Sequence, residues 1–198
     1  STDYLRKICE ICGSILRIAA NELDIFTLLL YTEPSKVNFM NEEQEVLQDV
    51  TTKLENAGIL YMVSGSIAAN YYTIPRMTRD IDIVIELAPD DIAAFVNCYS
   101  NDYYIDKDMI EDELNHEGMF NIIHNKYIIK IDFIIRKKTE FQDSTFKRKK
   151  KVTIENTSMW IISAEDLIVM KLLWAKDSFF DLQTRDIRNL FLTAETLD

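Results

Sequence analysis

The chain has 198 residues, of which 47% are hydrophobic, so it can bury the core of one domain with a small extension. Only four Gly and three Pro are present, which excludes collagen-like and disordered chains. The net charge of −11 disfavours non-specific binding of nucleic acid, because contacts to phosphate need Lys and Arg.

The compartment is suggested by the cysteines and by the lack of membrane signals. No apolar run approaches the roughly 20 residues that span a bilayer, and residues 1–24 lack the apolar segment of a signal peptide. With three Cys in the chain, we expect a reduced, cytoplasmic protein without a membrane partner. Cys9 and Cys12 form a C-x-x-C pair, but nothing completes a zinc site, so packing within a helix is the preferred interpretation.

Residues 1–57 are predicted to form an N-terminal helical extension. Apolar residues recur every three or four positions through residues 3–31, and the pattern stops near Pro34. A further helix is predicted from Asn41 to about residue 57, with Gly58 as its C-terminal stop. These helices are a candidate surface for a protein partner.

Residues 58–162 are predicted to form a core of interleaved strands and helices. The predicted strands are 59–63, 80–87, 119–123, 127–135 and one or two of 152–155 and 160–162, and the predicted helices are 67–72 and 89–98. This order indicates an α+β (mixed α/β) fold with a small mixed sheet flanked by helices.

Residues 163–198 are predicted to form C-terminal helices that pack on this core. Ser163, with Asp166 three residues later, has the pattern of a helix cap, and the helix is expected to end near residue 176. A last helix is predicted over residues 181–193.

Two acidic residues share one face of the predicted strand at 80–87. Side chains alternate along a strand, so Asp80 and Asp82 point the same way while Ile81 and Ile83 point into a core. Carboxylates this close repel each other unless a cation lies between them, and Mg²⁺ prefers such oxygen ligands. A surface strand with alternating acids has the same pattern.

A third acid, Asp132, lies within the strongly apolar strand 129–135. Burying a carboxylate without a partner is costly. If this strand lies beside the strand of Asp80 and Asp82, the three carboxylates can hold two metal ions about 4 Å apart for nucleotidyl or phosphoryl transfer. The alternative is a lone exposed Asp on an edge strand.

Gly65 and Ser66 follow a predicted strand and precede a predicted helix. Glycine allows a sharp turn and close approach to a ligand, and the helix N-terminus presents N–H groups to an anion. The chain has neither a G-x-x-x-x-G-K-[ST] loop nor a G-x-G-x-x-G motif, so P-loop and Rossmann folds have no support.

Gly65-Ser66, thirteen further residues, Asp80-x-Asp82 and the later Asp132 together resemble the signature of the DNA polymerase β-type nucleotidyltransferase superfamily. The resemblance implies the nucleotidyltransferase fold and a nucleoside triphosphate substrate, with ATP expected, bound at Gly65 and Ser66. It also implies that Asp80 and Asp82 hold two Mg²⁺ or Mn²⁺ ions, and that Asp132 binds the catalytic ion and activates the acceptor hydroxyl.

The sequence Arg76-x-Thr78-x-Asp80-Ile-Asp82 and the segment 160–187 are similar to a small bacterial branch that includes the AbiE-type toxins. The whole resemblance covers about residues 58–195. It implies that Lys171 and Asp186 lie near the nucleotide, and Arg76, Thr78 and Gln183 are further candidates, with Ser178 a weaker one. Lys171 and Asp186 can instead form a structural ion pair, and Arg76 can simply balance charge.

The basic residues concentrate in one stretch, 136–151, which holds eight Lys or Arg against two acids. We interpret it as a solvated loop or as a patch for RNA or a phosphate tail.

Two classes of function remain open. The first is a metal-dependent nucleotidyltransferase that moves a nucleoside monophosphate to a hydroxyl of RNA or tRNA, protein or a small molecule, with a toxin of a toxin–antitoxin pair as one case. The second is a non-catalytic nucleotide- or partner-binding module on the same fold.

Overall fold

The computed structural model describes residues 41–78, 80–154, 157–175 and 181–193. The helices predicted over residues 3–31, the Cys9–Cys12 pair and Ser178 lie outside the described residues.

Seven α-helices and seven strands make up the described part of the chain. The helices are α1 (Asn41–Asn56), α2 (Gly65–Tyr72), α3 (Ile92–Tyr99), α4 (Lys107–Asn115), α5 (Glu140–Arg148), α6 (Ala164–Ala175) and α7 (Asp181–Thr193). The strands are β1 (Leu60–Val63), β2 (Asp80–Glu86), β3 (Tyr103–Tyr104), β4 (Met119–His124), β5 (Lys130–Ile135), β6 (Lys150–Ile154) and β7 (Thr157–Ile161).

The strands form one mixed sheet in the order β3-β4-β5-β2-β1-β7-β6. The pairs β2–β5 and β1–β7 are parallel, and the other four pairs are antiparallel. This is a mixed α/β architecture with one mixed sheet flanked by helices, as predicted from the sequence. Strand β2 lies at the centre, between β5 and β1, so both of its edges are hydrogen-bonded.

Two apolar clusters cover the two faces of the sheet. On one face, Ile81 and Ile83 of β2 and Phe133 of β5 pack with side chains of α1 and α3. On the other face, Val84 of β2 joins side chains of α2, α6 and α7. The alternation along β2 therefore directs Asp80 and Asp82 toward the face with α2, α6 and α7.

Helix α1 packs on the sheet through one apolar face. Val46, Leu47, Val50 and Leu54 are spaced for a single helical stripe, and all four are fully buried in the first cluster. The helix stops where Gly58 adopts a left-handed conformation with φ of 68°, which residues with a Cβ rarely adopt. The prediction for this helix is confirmed, and residues 41–56 belong to the packed core.

The beginning of helix α6 also follows the predicted cap. The Ser163 hydroxyl donates to Asp166 Oδ2 at 2.9 Å, and the Asp166 backbone N–H donates to Ser163 Oγ at 3.2 Å. Helices α6 and α7 pack against each other and against α2, so the C-terminal helices lie on the core.

The interpretation of residues 136–151 as a solvated loop is wrong for most of its length. Residues 140–148 form α5, because Thr139 caps it by accepting a hydrogen bond from the Gln142 backbone N–H. Strand β6 then begins at Lys150 as an edge strand, and lysines on an edge strand discourage pairing with other chains.

Three further details differ from the sequence prediction. Helix α4 and the two-residue strand β3 were not predicted, although Asp106 caps α4 by accepting N–H bonds from Asp108 and Met109. The predicted strand 127–135 begins only at Lys130, because Ile128 adopts a positive φ of 53° in the preceding turn.

None of the helices in the described ranges is long and apolar enough to cross a membrane.

Candidate active site

The parallel pairing of β2 with β5 places two carboxylates side by side. Asp82 is the register partner of Asp132, and Asp80 is the partner of Lys130. Because β5 lies between β4 and β2, Asp132 is inside the sheet and only 6% exposed. The alternative of a lone exposed Asp on an edge strand is therefore excluded.

The turn at Gly65 lies directly against Asp82. Gly65 has a φ of 60°, and a Cβ placed there would be 1.9 Å from Asp82 Oδ2. Only glycine allows both this backbone conformation and this approach. The Ser64 backbone N–H donates to the Asp82 carbonyl at 2.8 Å, and the Ser66 backbone N–H donates to the Asp82 carboxylate. The Gly-Ser turn and the carboxylates thus form one site.

The electrostatics of this site disfavour the ionised form of Asp82. Burial raises the pKa of Asp82 to about 6, with further contributions from the negative charges of Asp132 and Asp80. The charge of Lys171 and the Ser66 N–H oppose this shift without cancelling it. A carboxylate with its pKa raised by burial and by like charges is typical of functional sites.

Lys130 places a positive charge beside the carboxylates of Asp80 and Asp132. Its Nζ lies 2.8 Å from Asp132 Oδ2 and 3.9 Å from Asp80 Oδ2. The hydrogen bond to Asp132 raises the pKa of the Lys130 ammonium, so it stays charged. The other oxygen of Asp132, Oδ1, is buried without a hydrogen-bond partner in the protein.

Arg76 connects the Gly-Ser turn to helix α7. Its guanidinium donates to both carboxylate oxygens of Asp186, at 3.0 and 2.9 Å, and to Ser66 Oγ at 2.7 Å. Asn70 fixes the Arg76 backbone by donating to its carbonyl at 2.7 Å and accepting from its N–H at 3.0 Å. The bond to Asp186 raises the pKa of Arg76. Sequence reasoning did not identify Asn70.

Lys171 is almost completely buried, with 1% of its surface exposed. Its ammonium donates to Asp186 Oδ2 at 3.0 Å and to Gln183 Oε1 at 3.2 Å. The Lys171–Asp186 pair considered from the sequence is therefore present. Burial tends to raise the pKa of Asp186, but the bonds and charges of Arg76 and Lys171 outweigh it and lower that pKa below its usual value.

Most of the residues assigned to a site from the sequence line one cleft of about 1020 Å³. Eight of them share its surface: Gly65, Ser66, Thr78, Asp80, Asp82, Asp132, Lys171 and Gln183. Arg76 and Asp186 do not line the cleft and instead support Ser66 and Lys171 from behind. The cleft is also lined by residues to which the sequence analysis assigned no role, among them Met119, Phe141 and Trp174.

The donor set of the cleft suits a hard divalent cation, because it consists of carboxylate oxygens. Asp80, Asp82 and Asp132 would hold the ion, and the unpartnered Asp132 Oδ1 is an oxygen that lacks a positive partner. In the described ranges, however, no three His, Cys, Asp or Glu side chains converge as metal ligands. The oxygen donors therefore suit a divalent cation, but the Lys130 ammonium occupies the position beside Asp132 where such a cation would bind.

The basic stretch 136–151 is partly neutralised by ion pairs. Arg136 pairs with Glu86 and Asp143, and Arg148 pairs with Asp166. Lys137 is exposed and lies at the cleft. The predicted role of this stretch in binding RNA stays a prediction.

This chain is similar to known proteins in fold and not in sequence. No family profile and no curated sequence matches the chain. Among solved structures, a Thermotoga maritima protein provisionally assigned as a nucleotidyltransferase is similar with a TM-score of 0.52 and 16% identity, over 72% of this chain and 90% of that one. The lincosamide antibiotic adenylyltransferase LnuA, solved with lincomycin bound, is similar with a TM-score of 0.52 and 14% identity, over 78% and 98%. The antibiotic-resistance factor ANT(2'')-Ia has a TM-score of 0.51 and 10% identity, over 77% and 85%.

These likenesses define the class of the fold. The chain has a nucleotidyltransferase fold, and its carboxylates and Gly-Ser turn lie in a single cleft of that fold.

Proposed function

We propose that the protein is a metal-dependent nucleotidyltransferase that moves a nucleoside monophosphate from a nucleoside triphosphate to an acceptor hydroxyl. The observation that carries the proposal is the register of β2 and β5, which sets Asp82 opposite Asp132 beside the Gly65 turn. The adenylyltransferases among the similar structures favour ATP as the nucleotide.

The residues of the cleft have distinct tasks in this reaction. The turn at Gly65 and Ser66 receives the triphosphate, because it opens helix α2 and a helix N-terminus favours an anion. Arg76 holds Ser66 in place through its 2.7 Å bond and brings positive charge behind the turn. Asp132 orients the acceptor hydroxyl and takes its proton.

The chemical step is a displacement at the α-phosphorus. The acceptor oxygen bonds to the α-phosphorus, the bond between that phosphorus and the bridging oxygen to the β-phosphate breaks, and pyrophosphate leaves. Asp80, Asp82 and Asp132 would hold divalent cations, which would supply neutralisation of the charge that develops on the phosphate oxygens. Most of the acceleration comes from positioning and from this neutralisation.

The acceptor is proposed only as a hydroxyl of RNA, protein or a small molecule. A toxin that modifies such an acceptor is one case, as expected from the similarity to the AbiE-type branch. It predicts growth arrest on expression, relieved by the substitution Asp82→Asn.

The proposal is tested by incubating the full chain with each α-labelled triphosphate and Mg²⁺ or Mn²⁺. The acceptors are cellular RNA, cellular protein and a set of hydroxyl-bearing small molecules. The double variant Asp80→Asn/Asp82→Asn is the inactive control, and Asp112→Asn, at an exposed carboxylate on α4, controls for the loss of a negative charge outside the cleft. Transfer of label that is lost only in the double variant supports the proposal.

A non-catalytic nucleotide-binding module is the second candidate. The observation that favours it is the ion pair of Lys130 with Asp132, in a cleft where no three described metal-ligand side chains converge. Nucleotide binding without transfer of label and without release of pyrophosphate would support this module and contradict the enzyme.

A further inference from the structure

Lys130 is placed where a divalent cation of the proposed function would be needed. It follows the turn of the β4–β5 hairpin and is the first residue of β5, on the same face as Asp132. Its register partner on β2 is Asp80. The ammonium therefore lies between two strands that both carry carboxylates.

The charges around Lys130 explain why it lies there. Three carboxylates on two adjacent strands repel one another, and Asp132 is buried while Asp82 is partly buried. An ammonium 2.8 Å from Asp132 Oδ2 and 3.9 Å from Asp80 Oδ2 relieves part of this repulsion.

The Lys130 side chain is also free to leave. Its side chain is 40% exposed, and a flexible stem of four methylene groups joins its ammonium to the backbone. Arg76 and Lys171 differ from it, because hydrogen bonds to Asp186 hold both of them.

We propose that Lys130 is an internal counter-ion of the carboxylate cluster, and that a divalent cation binds by displacing its ammonium from Asp132. Lys130 thereby sets the cation affinity of the site. The inference rests on the proposed function, because it concerns the same three carboxylates.

Displacement of the Lys130 ammonium affects whether the cation binds alone or together with a nucleotide. A free cation must give up water and also break the Lys130–Asp132 ion pair, so it binds weakly by itself. A cation that arrives on a triphosphate brings negative charge with it, which is a new partner for the released ammonium. The cluster therefore favours a cation–nucleotide complex over the free ion.

The test measures Mn²⁺ binding by electron paramagnetic resonance of the free ion, at fixed ionic strength and without nucleotide. The Lys130→Met variant removes the charge and keeps the length of the stem. We expect it to bind Mn²⁺ at least about tenfold more tightly than the natural chain, because the ion no longer competes with an ammonium. Lys130→Arg keeps the charge and should stay close to the natural affinity.

Lys107→Met is the matched control, because it removes one Lys charge from an exposed pair with Glu111 on α4. It should leave Mn²⁺ affinity unchanged. Circular dichroism confirms the fold of each variant, and Lys130→Gln replaces the Met variant if that one does not fold.

Each outcome of the measurement decides a different point. Equal or weaker binding by Lys130→Met, with binding still lost in Asp80→Asn/Asp82→Asn, overturns the role of Lys130 and leaves the metal site standing. Tighter binding in Lys107→Met as well overturns it too, because the effect would then be one of net charge. Absence of Mn²⁺ binding in the natural chain and in Lys130→Met alike overturns this inference, whereas the proposed metal-dependent function is decided separately by the label-transfer assay, in which nucleotide is present.

Discussion

The substitution Asp82→Asn should stabilise the metal-free protein, although it removes a residue of the proposed active site. The pKa of Asp82 in the folded state is about 6, whereas an Asp in an unfolded chain has a pKa of about 4. Ionised Asp82 therefore costs the folded state up to roughly 3 kcal/mol at neutral pH. Because Asp82 is only partly buried and Asn must also be desolvated, we expect a gain of about 1–3 kcal/mol.

The pH dependence of this gain follows from the sign of the shift. The folded protein binds a proton at Asp82 more tightly than the unfolded chain does, so the stability contribution of Asp82 falls as pH rises from about 4 through about 6. The difference between Asp82→Asn and the natural chain should be absent below about pH 4 and complete above about pH 7. The Asn side chain can still accept the hydrogen bond from the Ser66 backbone N–H.

The assay is urea unfolding followed by far-ultraviolet circular dichroism in EDTA, at several pH values between 4 and 8. Asp112→Asn is the control, because its side chain is 73% exposed and it removes the same charge. Saturating Mg²⁺ should stabilise the natural chain by about 2–3 kcal/mol at a hundred times the dissociation constant, and the Asn variant by less. The reasoning is refuted if Asp82→Asn is less stable than the natural chain in EDTA at pH 7, or if its gain does not depend on pH.

Three further predictions concern the residues around the carboxylates. Gly65→Ala should cost about 1–3 kcal/mol in urea unfolding, because the left-handed backbone strains Ala and its Cβ displaces Asp82; an unchanged midpoint would contradict it. Arg76→Met should lower the free energy of unfolding by about 1–3 kcal/mol and weaken binding of the triphosphate, because it frees Ser66 and leaves Asp186 with one cation. Calorimetry measures the nucleotide affinity, and an affinity equal to that of the natural chain would speak against this prediction. Asp186→Asn should cost about 3–5 kcal/mol at pH 7, because it leaves buried Lys171 unpaired. Since the pKa of Asp186 is held below its usual value, that cost should persist down to about pH 4 and shrink as the pH falls further, and a cost that grows below pH 4 would be inconsistent with the ion pair.

The sequence was most informative where local pattern and packing agree. Alternation in β2 separated Asp80 and Asp82 from Ile81 and Ile83, and the structure places these two sets on opposite faces of the sheet. The neighbouring position of β5 could not be derived from periodicity, because strand order depends on contacts distant in the chain. It entered only through the resemblance of the motif, and the register of Asp82 with Asp132 agrees with it.

The elements that were missed have weak apolar patterns. Helix α4 has one buried residue, Ile110, and helix α5 has two, Thr145 and Phe146. Neither helix presents a long apolar stripe, so the periodic signal that predicted α1 is missing. A capping residue precedes each of them, Asp106 and Thr139, and these were the signals that could have revealed the helices.

Lys130 was overlooked for a different reason. A lysine two residues from an acid in a strand is ordinary, and only the pairing of β5 with β2 brings Lys130 near Asp80. The role of Lys130 depends on the charges of Asp80, Asp82 and Asp132. These residues come from two strands, so neither strand shows that role by itself.

The charges of the cleft suggest that cation and nucleotide bind together. Three carboxylates and Lys130 leave the sheet side of the cleft with about two negative charges, whereas Arg76, Lys171 and Asp186 leave the helix side with one positive charge. A triphosphate alone would meet net repulsion near Asp80 and Asp82, and a cation alone must displace Lys130. Each ligand supplies the charge that the other one needs, so nucleotide affinity should fall sharply in EDTA, and cation affinity should rise when nucleotide is present.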